Sequence, residues 1–211
     1  LGGCFIVISF LGSAWQYGLA YLPLFIFFFF FVLAFILQFK QVTGSLQQLA
    51  HMIFGWLYIA VPLGMLIVIL LRQDSLVDGR YWVAYLLVTT KITDIGAYFG
   101  GKLWGRRFLA PQLSPQKTKE GAFIGFLCAI LASLAFYFWV PAQAGFNLTL
   151  FAALILGALM GSLGQVGDLA ESLIKRDMQI KDSGNLPGLG GMLDMLDSLL
   201  FNIPVLYLFL V

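Results

Sequence analysis

The residues best suited to chemistry are acidic and lie near the carboxyl end of the chain. Six of its ten carboxylates fall between positions 168 and 197. In the segment GGMLDMLDSLL, Asp194 and Asp197 are three residues apart, which places both carboxylates on one side of the first turn of a helix. Carboxylate pairs beside lysine and arginine favour a site where a hard cation such as Mg²⁺ meets phosphate. The competing interpretation is N-terminal helix capping, which explains one of these aspartates better than both.

A second acidic set precedes the first, in the segment GQVGDLAESLIKR. Helical spacing puts Asp168, Glu171 and Lys175 on one face, and nearby glycines leave room for another backbone to approach. Further upstream, Lys91 and Asp94 are three residues apart and predict either a cation site or an internal ion pair without chemistry. Carboxylates in or beside a membrane span are costly unless they are paired or line a wet cavity, so each set is a functional hypothesis.

Two loops could supply contacts to phosphate groups. The segment LPGLGG, directly before Met192, is either a plain turn or a stretch whose backbone N–H groups approach a phosphate. The segment GRRFLAPQLSPQKTKEG contributes Arg106, Arg107, Lys117 and Lys119. Its alternative role is topological, because basic loops orient helices and attract anionic lipid.

The elements that position these residues are membrane helices, since 61% of the 211 residues are hydrophobic and only 10% are charged. We therefore predict an all-α, polytopic membrane helix bundle with about seven transmembrane helices and no separate soluble domain. Residues 1–80 are expected to form N-terminal transmembrane helices, truncated because the chain opens at Leu1 inside an apolar stretch. Residues 81–211 are expected to form a catalytic transmembrane domain with loops 102–120 and 175–192. The predicted spans are 1–15, 17–37, 49–71, 81–103, 121–140, 147–174 and 193–211.

The cations predict the orientation of this bundle. Loops near 38–48, 102–120 and 175–192 hold nearly all of them, whereas the opposite side has only Arg72 and Arg80. By the positive-inside rule these three loops face the cytoplasm, so the site does too. An ion-coupled transporter is the alternative from another class, but a two-sided pathway would need more charge on the far side.

Other classes of chemistry have little support in the sequence. Cys4 and Cys128 lie in different predicted spans, and His51 lies near a helix start, which is typical of an interfacial residue. The sequence contains no Cys/His metal cluster and no Ser/His/Asp set, so covalent catalysis is not expected. No nucleic-acid partner is expected either.

The order of residues at the carboxyl end resembles a known family. Ser172, Lys175-Arg176, Lys181-Asp182, Pro187-Gly188, Gly190-Gly191, Asp194 and Asp197 match the signature of the phosphatidate cytidylyltransferase, or CDP-diacylglycerol synthase, family in type and spacing. Upstream, SPQKTKEG resembles the family's Ser-Pro-Lys-Lys-Thr-x-Glu-Gly loop, and TDIGAYFGGKLWGR resembles its Asp-x-x-Ala-Tyr-x-x-Gly segment. The resemblance covers residues 90–211.

The resemblance implies a multi-pass protein of a bacterial-type inner membrane that converts CTP and phosphatidic acid to CDP-diacylglycerol and pyrophosphate. It implies Mg²⁺, K⁺ as a second cation, contact with membrane lipids and a homodimer. The implied catalytic residues are Lys175, Lys181, Asp182, Asp194 and Asp197. The implied substrate contacts are Ser114, Lys117, Thr118, Lys119, Glu120, Arg176, Gly190 and Gly191. The implied metal ligands are Asp168, Asp182, Asp194 and Asp197, with Asp94 as a further candidate.

Three positions depart from the family pattern. Leu189 and Met195 stand where the family usually has His and Arg, and Gln116 stands in place of a Lys. Each change removes a donor or a cation near the implied nucleotide, so we expect a raised requirement for CTP. Related alternatives are a CDP-archaeol synthase, or a polyprenol or phytol kinase, acting on a different lipid.

Overall fold

The structure is a computed structural model that describes residues 22–38, 44–74, 77–140, 146–180 and 191–210. The described residues are mostly helical, which confirms the predicted all-α class. The chain divides into two compact units, an N-terminal unit of residues 1–73 and a C-terminal unit of residues 74–211.

The described part of the N-terminal unit contains three α-helices. They are α1, Leu22–Gln38; α2, Ser45–Gly55; and α3, Val61–Leu71. A π-helical turn, Trp56–Ala60, joins α2 to α3 without a break. Pro62 lies in the first turn of α3 and has no N–H to donate to the preceding turn, which accounts for the wider winding there.

In the C-terminal unit, the residues that the structure describes form four longer helices and a small hairpin. Its elements, with a short strand that spans the boundary, are β1, Gln73–Asp74; β2, Val77–Asp78; α4, Gly79–Trp104; β3, Phe108–Ala110; β4, Ser114–Thr118; α5, Lys119–Trp139; α6, Leu150–Asp177; and α7, Met192–Leu210. Strands β3 and β4 pair in an antiparallel register. Three of the helices begin at a side-chain cap, since Asp78, Thr118 and Thr149 each accept a hydrogen bond from a backbone N–H in the first turn.

Glycines allow the helices of the C-terminal unit to pack backbone against backbone. A Cβ on Gly125 of α5 would lie 2.8 Å from the carbonyl oxygen of Thr93 in α4. A Cβ on Gly161 of α6 would lie 2.7 Å from the Cβ of Ala129 in α5. Small residues at such crossings are typical of helix pairs in membranes, where close packing replaces the hydrophobic effect as the main source of association.

Polar side chains also bridge the helices inside this unit. The Ser133 hydroxyl donates to the carbonyl oxygen of Ala153 at 2.6 Å, so the Tyr85 hydroxyl, 2.8 Å away, donates to Ser133. These bonds link α4, α5 and α6. The Tyr85 ring also packs against Trp82 and Phe146, both buried. This end of the unit is therefore a buried structural core.

Four helices among the described residues are long and apolar enough to cross a membrane. They are Ser45–Leu71, Lys119–Trp139, Leu150–Asp177 and Leu193–Leu210. The predicted membrane bundle is confirmed by these four, whereas the count of seven is not. Helix α4 covers the predicted span 81–103 but carries Lys91, Asp94 and Lys102. The predicted span 1–15 lies outside the described residues.

The crossing of α6 and α7 at Gly167 leads to a stability prediction. A Cβ there would lie 2.5 Å from the backbone carbonyl oxygen of Asp197, which cannot move without shifting α7. Gly167→Ala should therefore lower the stability of the fold by about 1–3 kcal/mol, measured as thermal unfolding in detergent. The matched control is Gly55→Ala, because a Cβ at Gly55 meets nothing within 4 Å. Its stability should stay the same or rise by up to about 1 kcal/mol, and equal losses in both variants would contradict the role of the crossing.

Candidate active site

Four acidic residues of the C-terminal unit, Asp168, Glu171, Asp194 and Asp197, meet along the seam between α6 and α7. The two helices run antiparallel there, since Gly164 approaches Asn202, Asp168 faces Asp197 and Lys175 pairs with Asp194. Asp194 and Asp197 both face α6, one turn apart, but each has a different partner. We call this row of charged side chains along the seam the ladder. It begins at the C-terminal end of α6 and the N-terminal end of α7.

The outer step of this ladder is centred on Lys175. Its ammonium lies 2.7 Å from the carboxylate of Glu171 and 2.5 Å from that of Asp194. The Glu171 side chain is only 2% exposed, and its second carboxylate oxygen has no hydrogen-bond partner. Burial of this carboxylate depends on Lys175, because an unpaired charge in such a place is strongly destabilising.

Asp194 also caps α7. Its carboxylate accepts a hydrogen bond from the backbone N–H of Gly191 at 2.9 Å, one residue before the helix begins at Met192. This is half of a capping box, in which the third helical residue reaches back to the cap. Capping is thus realised at Asp194, which also pairs with Lys175, and its predicted role as a metal ligand stays a prediction.

The inner step of the ladder brings two carboxyl groups together. The Asp197 carboxyl lies within hydrogen-bonding range of that of Asp168 and is only 8% exposed as a residue. Lys117 reaches across from β4 and bonds Asp168 at 3.0 Å. The other contact of Asp197 is the backbone N–H of Ser198, which donates to it at 2.6 Å. Two like charges so close require a shared proton or a bound cation.

Helix α4 adds one more acid to this inner step. Asp94 pairs with Lys91 at 3.3 Å and accepts a hydrogen bond from the Ser198 hydroxyl, also at 3.3 Å. Lys91 donates in addition to the carbonyl oxygen of Met195 at 3.2 Å. The ion pair raised as one possibility for Lys91 and Asp94 therefore exists and lies beside the acidic centre, whereas the cation site stays a prediction.

The β3–β4 hairpin is fastened beside this centre by backbone contacts. The Glu120 carboxylate accepts hydrogen bonds from the backbone N–H groups of Arg106 and Arg107, at 3.0 and 3.1 Å. Arg176, at the end of α6, donates to the carbonyl oxygen of Leu113 in the hairpin turn. These bonds fix the strand from which Lys117 reaches Asp168.

A cleft of about 390 Å³ opens between α4, the hairpin and α6. Its polar lining includes Asp94, Lys102, Ser114, Lys117 and Asp168, and its apolar lining includes Ala97, Tyr98, Leu109 and Ala122. Lys175 and Asp194 do not line it. The cleft therefore reaches the inner acidic step from one side only.

The charges of the centre suit a divalent cation. Five carboxylates, of Asp94, Asp168, Glu171, Asp194 and Asp197, meet three ammonium groups, of Lys91, Lys117 and Lys175. Two negative charges are left over. Within the described ranges no three His, Cys, Asp or Glu side chains are placed to hold a metal ion together. Mg²⁺ sites commonly use one or two carboxylates and take their other ligands from water and substrate phosphates, so the Asp168–Asp197 pair fits such an ion.

The structure does not reach every residue predicted for the site. Lys181, Asp182 and Gly190 lie outside the described residues. Lys119 is exposed at the start of α5, and Thr118 caps that helix while lining the cleft. Their predicted roles in substrate contact stay predictions.

Sequence reasoning left several residues of the site without a role. Glu171 was placed on the right helix face but was given no function, although its i,i+4 spacing from Lys175 predicts their ion pair. Tyr98 and Lys102 follow Asp94 at intervals of four residues, which predicts one shared face of α4. Ser198 gave no such signal, because its partner Asp94 is 104 residues away.

Comparisons with known proteins give a consistent picture. The model of the family described as "Cytidylyltransferase family" matches residues 1–211. The chain is 39% identical to the phosphatidate cytidylyltransferase of Chlamydia pneumoniae over 175 residues, which cover 81% of this chain and 57% of that protein. It is 33% identical to the phosphatidate cytidylyltransferase of Staphylococcus saprophyticus, over 82% of this chain and 61% of that protein. It is 36% identical to the uncharacterized protein YnbB of Escherichia coli, over 80% of this chain and 55% of that protein. The chain thus spans little more than half the length of these relatives.

Proposed function

Since the chain belongs to the cytidylyltransferase family, we propose that it forms the active site of a phosphatidate cytidylyltransferase. The reaction joins CTP and phosphatidic acid into CDP-diacylglycerol and releases pyrophosphate. An oxygen of the lipid phosphate attacks the α-phosphorus of CTP, a new P–O bond forms, and the bond to the β-phosphate oxygen breaks. The Chlamydia and Staphylococcus relatives, both named phosphatidate cytidylyltransferase, support this assignment.

The single observation that carries the proposal is the inner acidic step, with Asp168 facing Asp197 beside Lys117. Its surplus negative charge is unfavourable by itself and becomes favourable when a divalent cation binds. Members of the family generally use such a cation, and we propose Mg²⁺, with K⁺ as a second ion. When bound, the cation neutralises phosphate oxygens in the transition state and polarises the reacting phosphorus.

The protein's own residues have to hold two polyanions close together. The lipid phosphate loses its second proton near pH ~6, as other phosphate monoesters do, so it needs no strong protein base. Lys117, Lys175 and Arg176 supply positive charge and hydrogen bonds to the phosphates. Lys181, Asp182 and the glycines before Met192 are proposed to complete the site on the nucleotide side.

The proposed setting is a bacterial inner membrane. The hairpin, the C-terminal end of α6 and the N-terminal end of α7 would face the cytoplasm. The apolar helices and the bacterial relatives support this setting. We also propose that the protein works as a homodimer. Membrane lipids would then surround the apolar spans of both copies.

The direct test uses purified protein in detergent with Mg²⁺, phosphatidic acid and CTP labelled either in cytidine or in the γ-phosphate. Cytidine label should appear in the extracted lipid, and one pyrophosphate should form for each lipid product. Removal of Mg²⁺ with a chelator should abolish both. Transfer of the γ-phosphate label instead would identify a lipid kinase, and label in neither lipid fraction would overturn the proposed activity.

A further inference from the structure

One wall of the cleft beside the acidic centre carries Tyr98 and Lys102, which have no role in the reaction proposed above. Asp94, Tyr98 and Lys102 follow one another at intervals of four residues and line it from α4. The wall runs for about 12 Å along the helix, at ~1.5 Å per residue. The Lys102 ammonium lies 6.0 Å from the centre of the Tyr98 ring, within range of a cation–π contact.

Lys102 has no carboxylate partner among the described residues, unlike the lysines of the acidic centre. Its side chain is exposed in the outer part of the cleft, while Asp94 and Asp168 lie at the inner end. A cation in this position is available to an incoming anion. The neighbouring Ser114 on the hairpin adds a hydroxyl group to the same cleft.

The geometry of phosphoryl transfer requires two places for anions. In an in-line displacement, the attacking and leaving oxygens lie on opposite sides of the reacting phosphorus. Lys102 lies on the cleft side of Asp168, whereas Lys175 lies outside the cleft, two turns further along α6. The attacking phosphate and the departing pyrophosphate can therefore have separate sets of cations, one on each side of the acidic centre.

The surroundings of the cleft indicate which anion enters it. An exposed apolar stripe on α4 consists of Ile95, Phe99 and Leu103. Each of them directly follows one of the three wall residues in the sequence. Leu109 and Tyr98 add apolar surface within the cleft itself. A lipid whose acyl chain lies on the stripe would have its headgroup phosphate beside Lys102. A nucleotide has no acyl chain and would make no favourable apolar contact with the stripe.

We infer that the cleft is the subsite for the lipid phosphomonoester, and that Lys102 binds this phosphate and so determines the affinity for phosphatidic acid. The inference rests on the proposed function, since it divides the two substrates between the two sides of one site. Tyr98 positions the lysine side chain through its ring.

The test is binding and turnover of dioctanoyl phosphatidic acid by Lys102→Gln in detergent. The affinity for this lipid should fall by about ten- to a hundredfold, as expected for one lost charge-assisted contact. In turnover, the KM for phosphatidic acid should rise by a similar factor, whereas the KM for CTP should stay within about twofold. Lys102→Arg should recover most of the loss. The control is Arg80→Gln, which removes one exposed positive charge from the first turn of α4 and does not line the cleft, and it should leave both affinities unchanged.

Two results would overturn the inference. One is a rise in the KM for CTP with no change for the lipid, which would assign the cleft to the nucleotide. The other is an equal effect of Lys102→Gln and Arg80→Gln, which would mean that Lys102 contributes only a general attraction for anionic lipid. A wild-type protein that binds phosphatidic acid through Lys102 but forms no CDP-lipid would reject the proposed function and keep the subsite.

Discussion

Asp197→Asn should reduce cytidylyl transfer by at least about a hundredfold and leave the protein as stable as before, or more stable. The asparagine can still accept the hydrogen bond from the Ser198 backbone N–H, because its amide oxygen takes the place of one carboxylate oxygen. Its amide N–H can also donate to Asp168, so the repulsion between the two carboxyl groups is removed. A bound cation, however, loses one of its two carboxylate ligands. Loss of one preorganised charge at a reaction centre typically costs about a hundred- to a thousandfold in rate.

The measurement combines labelled-lipid turnover with thermal unfolding in detergent. Asp177→Asn is the matched control, since it removes an equal charge from the exposed end of α6. It should keep near-normal turnover. Turnover of Asp197→Asn within a few-fold of the wild type would exclude a role for this carboxylate in cation binding. A sharp loss of stability would instead make Asp197 a structural residue.

Lys175→Met should destabilise the fold by about 3–5 kcal/mol, the usual cost of leaving a buried charge without its partner. The methionine keeps most of the packing of the lysine stem, but Glu171 and Asp194 then face each other without a cation. Turnover should fall as well, because the proposed site loses a cation that contacts phosphate. Thermal unfolding and labelled-lipid turnover measure the two effects separately.

A second substitution separates structure from chemistry at this position. Glu171→Gln combined with Lys175→Met removes the stranded charge at 171, so most of the lost stability should return. Turnover should remain low if Lys175 contacts substrate. Recovery of both stability and turnover in the double variant would show that Lys175 serves only to neutralise Glu171.

Helical periodicity in the sequence predicts which face of α6 carries the charged residues of the proposed site. Asp168, Glu171 and Lys175 repeat at three- and four-residue intervals, and the structure places all three on the seam with α7. Periodicity gives the face of a helix but does not name the partner across from it. The bond between Lys117 and Asp168 joins residues 51 positions apart, and such a pairing is set by the packing of whole helices.

Glu120 shows a second kind of contact that residue types cannot reveal. The resemblance implies a substrate contact, which stays a prediction. In the structure the Glu120 carboxylate accepts hydrogen bonds from the backbone N–H groups of Arg106 and Arg107, just before β3. Every residue except proline has such a group, so no pattern of side chains marks the partner.

The helical class was predictable because the apolar runs of this chain are long. The two-residue strands and the small hairpin are too short to give a period of their own.

The charged ladder also bears on the order in which the chain is made and inserted into the membrane. Asp94 has its cation on its own helix, and Glu171 likewise has Lys175. Lys117 is synthesised before its partner Asp168, and Lys175 before its partner Asp194. Each of these carboxylates can therefore be neutralised within its own helix or by a segment that has already left the ribosome, which lowers the cost of inserting an acidic helix. Asp197 is the exception. Its helix leaves the ribosome after the other described helices, and its neighbour Asp168 is another acid. These helices therefore close around a pair of carboxyl groups that needs a proton or a cation from the cell.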